Sequence, residues 1–183
     1  RSANTIARDL TIYREGGELY LKSTPSKEIK KARGEKVSVP SFKVAGHHEV
    51  ASLLQDNEGS YEIEMVIQNA GASKIAFSLL NDKGDKVSMY YDVPRKQFVM
   101  DRSKSGKVDF SSDFPAVTVA PATADKELTL RLFVDCSSIE AFGEDGKFVM
   151  TNLVFPSVPY NKMLFESDKA GYSVKTLQVY KLK

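Results

Sequence analysis

Tryptophan is absent from this 183-residue chain, cysteine occurs once and histidine twice. A single cysteine closes no internal disulfide, so Cys136 is expected to be a small buried filler. The two histidines are adjacent. On a strand, His47 and His48 face opposite sides, and the spacing of a zinc-protease helix is missing around Glu49, so no metal site is expected. No apolar run is long enough to span a bilayer. The first residues lack a charged-then-apolar leader, and Arg1 is not an initiator methionine, so the chain reads as cut from something longer or processed. Charge of one sign is also missing: 26 basic and 24 acidic residues are intermixed for a net +2, which leaves no electrostatic footprint for nucleic acid or an anionic membrane. The lysine-rich stretch 27–36 also carries Glu28 and Glu35 and reads as a solvated face or edge. There is no glycine-rich phosphate cradle and no Ser/His/Asp or Cys/His constellation. Residues 81–85 lack most ligands of a calcium loop and read as a hairpin turn. No cofactor is implied.

What is present is alternation. Hydrophobic residues make up 42% of the chain, enough for one core and one domain over 1–183. Leu128, Leu130, Leu132 and Val134 share one face of a strand, with Thr129, Arg131, Phe133 and Asp135 on the other. Short polar residues at 135–138 then turn the chain, residues 139–142 resume extension, and Asp145-Gly146 signals a second reversal. Residues 8–14 and 18–23 alternate around Glu15-Gly16-Gly17, predicting an opening hairpin. Residues 36–44 read as a strand interrupted at Pro40, which favours an edge or bulge. Residues 47–57 suit either a short helix or an irregular crossing. Further strands are predicted around Tyr61 to Ile67, Ile75 to Leu79, Val87 to Tyr91, 97–102, 114–119, 162–166 and 173–182. About a dozen short strands with frequent turns predict an all-β fold of two packed antiparallel sheets, a lectin-like β-sandwich.

At Phe133 to Phe142 the order Phe-Val-Asp-x-Ser-Ser-Ile-Glu-x-Phe, followed by Asp145-Gly146 and Phe155-Pro156, resembles the C-terminal β-sandwich of glycoside hydrolase family 32, whose members include invertases, levanases and inulinases. Residues 90–106, with their Tyr-Asp and Asp-Arg-Ser-x-Ser-Gly elements, and the strand at 17–29 are similar to the same module. The pattern departs at Cys136, where the family usually has arginine. The resemblance implies a parent that hydrolyses fructans or sucrose by a retaining mechanism, using an Asp nucleophile and a Glu acid/base on a preceding five-bladed propeller. None of the propeller's acidic motifs occurs here: the nucleophile motif needs tryptophan, Arg8-Asp9-Leu10 is only a near match to Arg-Asp-Pro, and the sole cysteine follows Asp135 rather than glutamate. The chain is therefore expected to be a non-catalytic module that packs against the propeller and stabilises it. The alternative is a lectin-like module that binds fructan. The parent is expected to be secreted, periplasmic or at the cell surface.

Six residues are candidates for carbohydrate or domain contact. Tyr90, Tyr160 and Tyr172 are candidates because an exposed aromatic face can stack on a sugar. Arg102 sits in a polar cluster that suits either a structural clasp or hydroxyl recognition. Asp135 and Glu140 are a tempting carboxylate pair, read here as a turn-bonding residue and a cross-strand partner. If docking is the role, an apolar patch should lie exposed near the opening hairpin.

Overall fold

The computed structural model describes residues 4–51, 53–54, 58–124, 126–168 and 170–183. Fifteen strands form among them. An opening hairpin, β1 (Arg8–Glu15) and β2 (Glu18–Pro25), turns at Gly16-Gly17 and stands as a two-stranded sheet of its own. A lysine-rich 3-10 helix, Lys27–Ala32, leads into β3 (Arg33–Val39), β4 (Phe42–Val44) and β5 (His47–Val50). The body follows with β6 (Tyr61–Asn69), β7 (Lys74–Leu80), β8 (Lys86–Asp92), β9 (Gln97–Lys104) and β10 (Val117–Pro121). It is completed by β11 (Glu127–Asp135), β12 (Ser138–Gly143), β13 (Phe148–Leu153), β14 (Lys162–Ser167) and β15 (Tyr172–Leu182).

Two antiparallel sheets stack face to face. One is six-stranded in the order β10-β9-β8-β7-β14-β5, and the other is seven-stranded in the order β13-β12-β11-β6-β15-β3 with β4 also on β15. The period-2 pattern explains the layering. Tyr61, Ile63, Met65 and Ile67 on β6, Leu128, Leu130, Leu132 and Val134 on β11, and Phe77, Met89 and Phe98 on the facing sheet are all buried in one continuous core, as alternating strands demand when one face is dry.

Proline and glycine sort as backbone chemistry requires. Pro40 ends β3, an edge strand, so its missing donor disturbs no interior ladder. At Gly106 (φ +118°) an added Cβ would lie 2.0 Å from the Phe155 carbonyl oxygen, so the close approach of the 105–107 turn to the 155–156 segment needs a residue without a side chain.

Several expectations are corrected in detail. Cys136 is exposed, not a buried filler. Asp135 pairs with Ser138, so Cys136-Ser137 is the apex of a two-residue hairpin outside the core, with the thiol donating to the Glu58 carbonyl at 3.5 Å. The strand expected at 114–119 begins later, at Val117, because Phe114 joins a loop cluster with Phe110 and Phe155. The helix-or-crossing alternative at 47–57 resolves as β5 at its start, with His48 stacked on Phe42 at 4.0 Å; residues 52 and 55–57 lie outside the described residues. No helix among the described residues is long and apolar enough to cross a membrane.

Candidate interaction surface

The opening hairpin has two unlike faces. Cross-strand pairing places Ile12 opposite Leu21, Leu10 opposite Ser23 and Leu19 opposite Arg14 on one face. On it, Leu10, Ile12, Leu19 and Leu21 are 64%, 68%, 60% and 58% exposed. Four large aliphatic side chains open to water on a two-stranded ribbon form a contiguous apolar patch, unlike singly scattered surface residues. The opposite face, with Tyr13 and Tyr20 stacked at 5.6 Å and Lys22 beside them, turns to the body of the molecule.

That inner face is fastened to the turn between β12 and β13. Lys22 pairs with Asp145, and the Lys147 ammonium bonds the Glu15 carboxylate at 3.0 Å and sits over the Tyr13 ring. The Glu15 bond keeps Lys147 protonated above its ordinary range. Glu144 and Asp145 both take positive φ, and Gly146 (φ +85°) lies so close to β2 that an added Cβ would sit 2.4 Å from the Ser23 carbonyl oxygen. The Asp-Gly pair legible in the sequence thus turns the chain and also seats the hairpin.

Glu140 supplies the second fastening. Its buried carboxylate accepts the Ile6 backbone N–H at 2.9 Å and Arg8 Nη2 at 2.6 Å, and Arg8 also bonds Thr151 Oγ1 and stacks over Phe142. Asp135, by contrast, is exposed; it accepts the Cys136 N–H of its own turn at 2.8 Å and Ser60 Oγ, just before β6, at 2.7 Å. The two acids therefore each serve separate protein donors and do not flank a common space.

The remaining candidates divide by burial. Tyr160 and Tyr172 are 1% and 2% exposed, with hydroxyls donating to the carbonyls of Ser105 and Ala76. Burial, with the Asp85 charge nearby, pushes the Tyr160 hydroxyl well above the usual phenol range. Neither ring has a face for a sugar, so both candidates are corrected to core residues: Tyr172 at the start of β15 and Tyr160 in the segment before β14. Tyr90 is half-buried on the outer face of the six-stranded sheet with the Lys74 ammonium 3.8 Å from its ring centre. Arg102 lies over Phe114 at 4.3 Å and donates to the Leu153 carbonyl, clasping the 105–116 loop to the end of β13.

The sequence reading missed a charged network on the outer face of the seven-stranded sheet. Glu62, fully buried, receives a two-pronged bond from Arg33 (both 2.7 Å) and two bonds from Arg131 (2.8 and 2.6 Å). Glu64 bonds Arg33 and accepts from the Tyr180 hydroxyl at 3.2 Å. Burial works to raise the Glu64 carboxyl, but the bond and charge of Arg33, aided by Arg131, outweigh it and hold it below the usual carboxylate range. Only alternating Glu62 and Glu64 on an otherwise apolar strand hinted at this.

A groove opens beside the network, between the sheet and the end of β2. It encloses about 360 Å³ and is bounded by Thr24, Pro25, Glu64, Val66, Thr129, Arg131, Phe142, Asp145 and Thr176 among others. Among the described residues, no group of three or more His, Cys, Asp or Glu side chains is placed to hold a metal ion.

Comparison with known proteins bears on the whole chain. A family model described as "Glycosyl hydrolases family 32 C terminal" matches residues 28–181. A levanase of Bacillus sp. (strain L7) is 30% identical over 183 residues, covering 97% of this chain but 20% of the levanase. A levanase of Bacillus subtilis (strain 168) is 29% identical, over 100% of this chain and 28% of its own length. In three dimensions the chain is similar to the exo-inulinase of Aspergillus awamori, with a TM-score of 0.79 and 22% identity across 98% of this chain and 35% of that one. The chain thus spans between a fifth and a third of these two levanases. The hairpin lies outside the segment matched by the family model, though within the structural match.

Proposed function

The chain belongs to the family of glycosyl hydrolase family 32 C-terminal domains, and from that premise we propose that it is the non-catalytic β-sandwich of a levanase- or inulinase-type enzyme, packing as one unit against a catalytic propeller and stabilising it. The observation that carries this reading is the outward apolar face of Leu10, Ile12, Leu19 and Leu21 on a hairpin whose other face is fastened to the sandwich. Covering such a face removes apolar surface from water at about 25 cal/mol per Å², and the fastenings fix its position, so less ordering entropy opposes docking. The glycosidic bond would be broken by carboxylates of the propeller, since Asp135 and Glu140 are each occupied by structural bonds.

The test is reconstitution. The catalytic region of a family levanase, produced without its C-terminal portion, should bind the separately produced chain, gain thermal stability and hold its fructan-hydrolysing activity longer at elevated temperature. The chain alone should release no fructose from sucrose, levan or inulin. Fructose release by the chain after rigorous purification, or failure to associate with any family catalytic region tried, would overturn the proposal.

A further inference from the structure

One edge of the six-stranded sheet is built unlike the others. β10 is its terminal strand, and among the described residues no strand pairs with the outer side of β10. Its ladder to β9 is fixed by the Arg102 N–H, which donates to the Ala116 carbonyl at 3.1 Å, and the Ala122 N–H, which donates to the Lys96 carbonyl at 3.0 Å. Antiparallel bonding alternates, so Ala116, Thr118, Ala120 and Ala122 turn their backbone groups to β9, while Val117, Val119 and Pro121 turn theirs outward. The side chains of Val117 and Val119 are both exposed. Open edges are ordinarily defended by charge. β3 carries Arg33, Glu35 and Lys36, and β5 carries His47, His48 and Glu49. On β13, Arg102 takes the Leu153 carbonyl and Arg8 bonds the Thr151 hydroxyl. β10 has no ionisable side chain.

The sequence of this edge says what fits it. Residues 115–121 read Pro-Ala-Val-Thr-Val-Ala-Pro, the same in both directions about Thr118. Two antiparallel copies related by a two-fold axis at Thr118 therefore place every residue opposite its own kind, with Val117 of one copy facing Val119 of the other. In that register the outward N–H and C=O of Val117 bond the C=O and N–H of the second copy's Val119, and the axis repeats the exchange. Proline stands at each end of the run, where it brings no N–H to be left unpaired. The exposed valine side chains of both copies meet on one face, and no charge opposes another. We infer that β10 is a self-association edge, through which two copies of this chain join their six-stranded sheets into one continuous sheet across a two-fold axis. The docking face of the opening hairpin lies on other strands and takes no part in it.

Sedimentation equilibrium of the unaltered chain, from about 1 μM to about 1 mM, should show a monomer–dimer equilibrium. Amide exchange at Val117 and Val119 should slow about tenfold at the dimeric end of that range. Val119→Pro removes an outward N–H that the ladder to β9 does not use, so it should weaken the dimer at least tenfold and leave the melting temperature of the dilute monomer unchanged. Charge reads the register. Val117→Lys with Val119→Lys sets like charges opposite each other in both pairs and should abolish the dimer, whereas Val117→Lys with Val119→Glu sets opposite charges in both and should restore it. A chain that stays monomeric throughout the range, a dimer indifferent to Val119→Pro, or two charge variants that behave alike would overturn the inference. If Val119→Pro does not fold, the charge variants, made at exposed sites, decide. Reconstitution with a catalytic region depends on Leu10 and its neighbours, so failure of one reading does not imply failure of the other.

Discussion

At Glu62 the sequence committed a carboxylate to a position that is 0% exposed, tolerable only because two guanidiniums supply its hydrogen bonds. Removing one member of a buried ion group leaves the others unbalanced. Glu62→Ala should therefore lower the unfolding free energy by about 3–5 kcal/mol, measured as a reduced urea midpoint at unchanged slope. Glu64 carries the pH dependence. Its folded pKa lies below the unfolded value, so folding favours the ionised form. That contribution is complete above about pH 4.3, where the unfolded carboxyl ionises, and is lost as pH falls through the depressed folded value. Urea midpoints should drop on acidification below pH 4, and Glu64→Gln should flatten that drop. The single residue Glu140 was legible as part of a family pattern and as a residue with a cross-strand partner, yet its bonds to Ile6 and Arg8 span more than 130 positions. Alternation reveals which face a side chain takes, not which distant segment arrives to meet it. The same limit hid Arg33 and Arg131 from Glu62, and led Tyr160 and Tyr172 to be taken as exposed.

Among elements, the opening hairpin is the informative case. Its strands and glycine turn follow from local chemistry alone, because Gly16-Gly17 between two alternating runs admits few other structures. Its orientation does not: Leu10, Ile12, Leu19 and Leu21 carry the same alternation as a core strand, and only the structure places them outward. The hairpin should be separable from the sandwich by its fastenings. Glu140→Ala removes a charge-assisted anchor of the kind worth about 1.5–3 kcal/mol, and Gly146→Ala forces a Cβ against Ser23. In either variant, hydrogen exchange should accelerate across β1 and β2 and leave β6, β11 and β15 protected. Uniform acceleration over the whole chain would show that hairpin and sandwich unfold as one. The β11–β12–β13 run was the most readable stretch, since strict period-2 alternation, polar turn residues and Asp-Gly agreed on the same answer.

For the molecule as a whole, two sheets and a ribbon divide the work between a dry interior and an apolar exterior. The interior fixes the sandwich, and the exterior would be satisfied by another domain. Leu10→Ser combined with Leu21→Ser should leave the chain's own melting temperature within about one degree, because exposed sites contribute little, while weakening association with a catalytic region at least tenfold in a binding titration. The fold class was legible because every strand repeats one constraint. The groove was not, since Thr24, Thr129 and Thr176 come from three strands far apart in sequence, and threonine at alternate positions is ordinary strand composition.

Cys136, an exposed residue at a hairpin apex whose thiol donates to the Glu58 carbonyl, has a practical consequence. Because it is the sole sulfhydryl in the chain, a spin label or fluorophore attaches there at one defined point without mutagenesis. The absence of tryptophan leaves the optical background clear. Distances from that label to probes on a catalytic partner would orient the two bodies in solution directly.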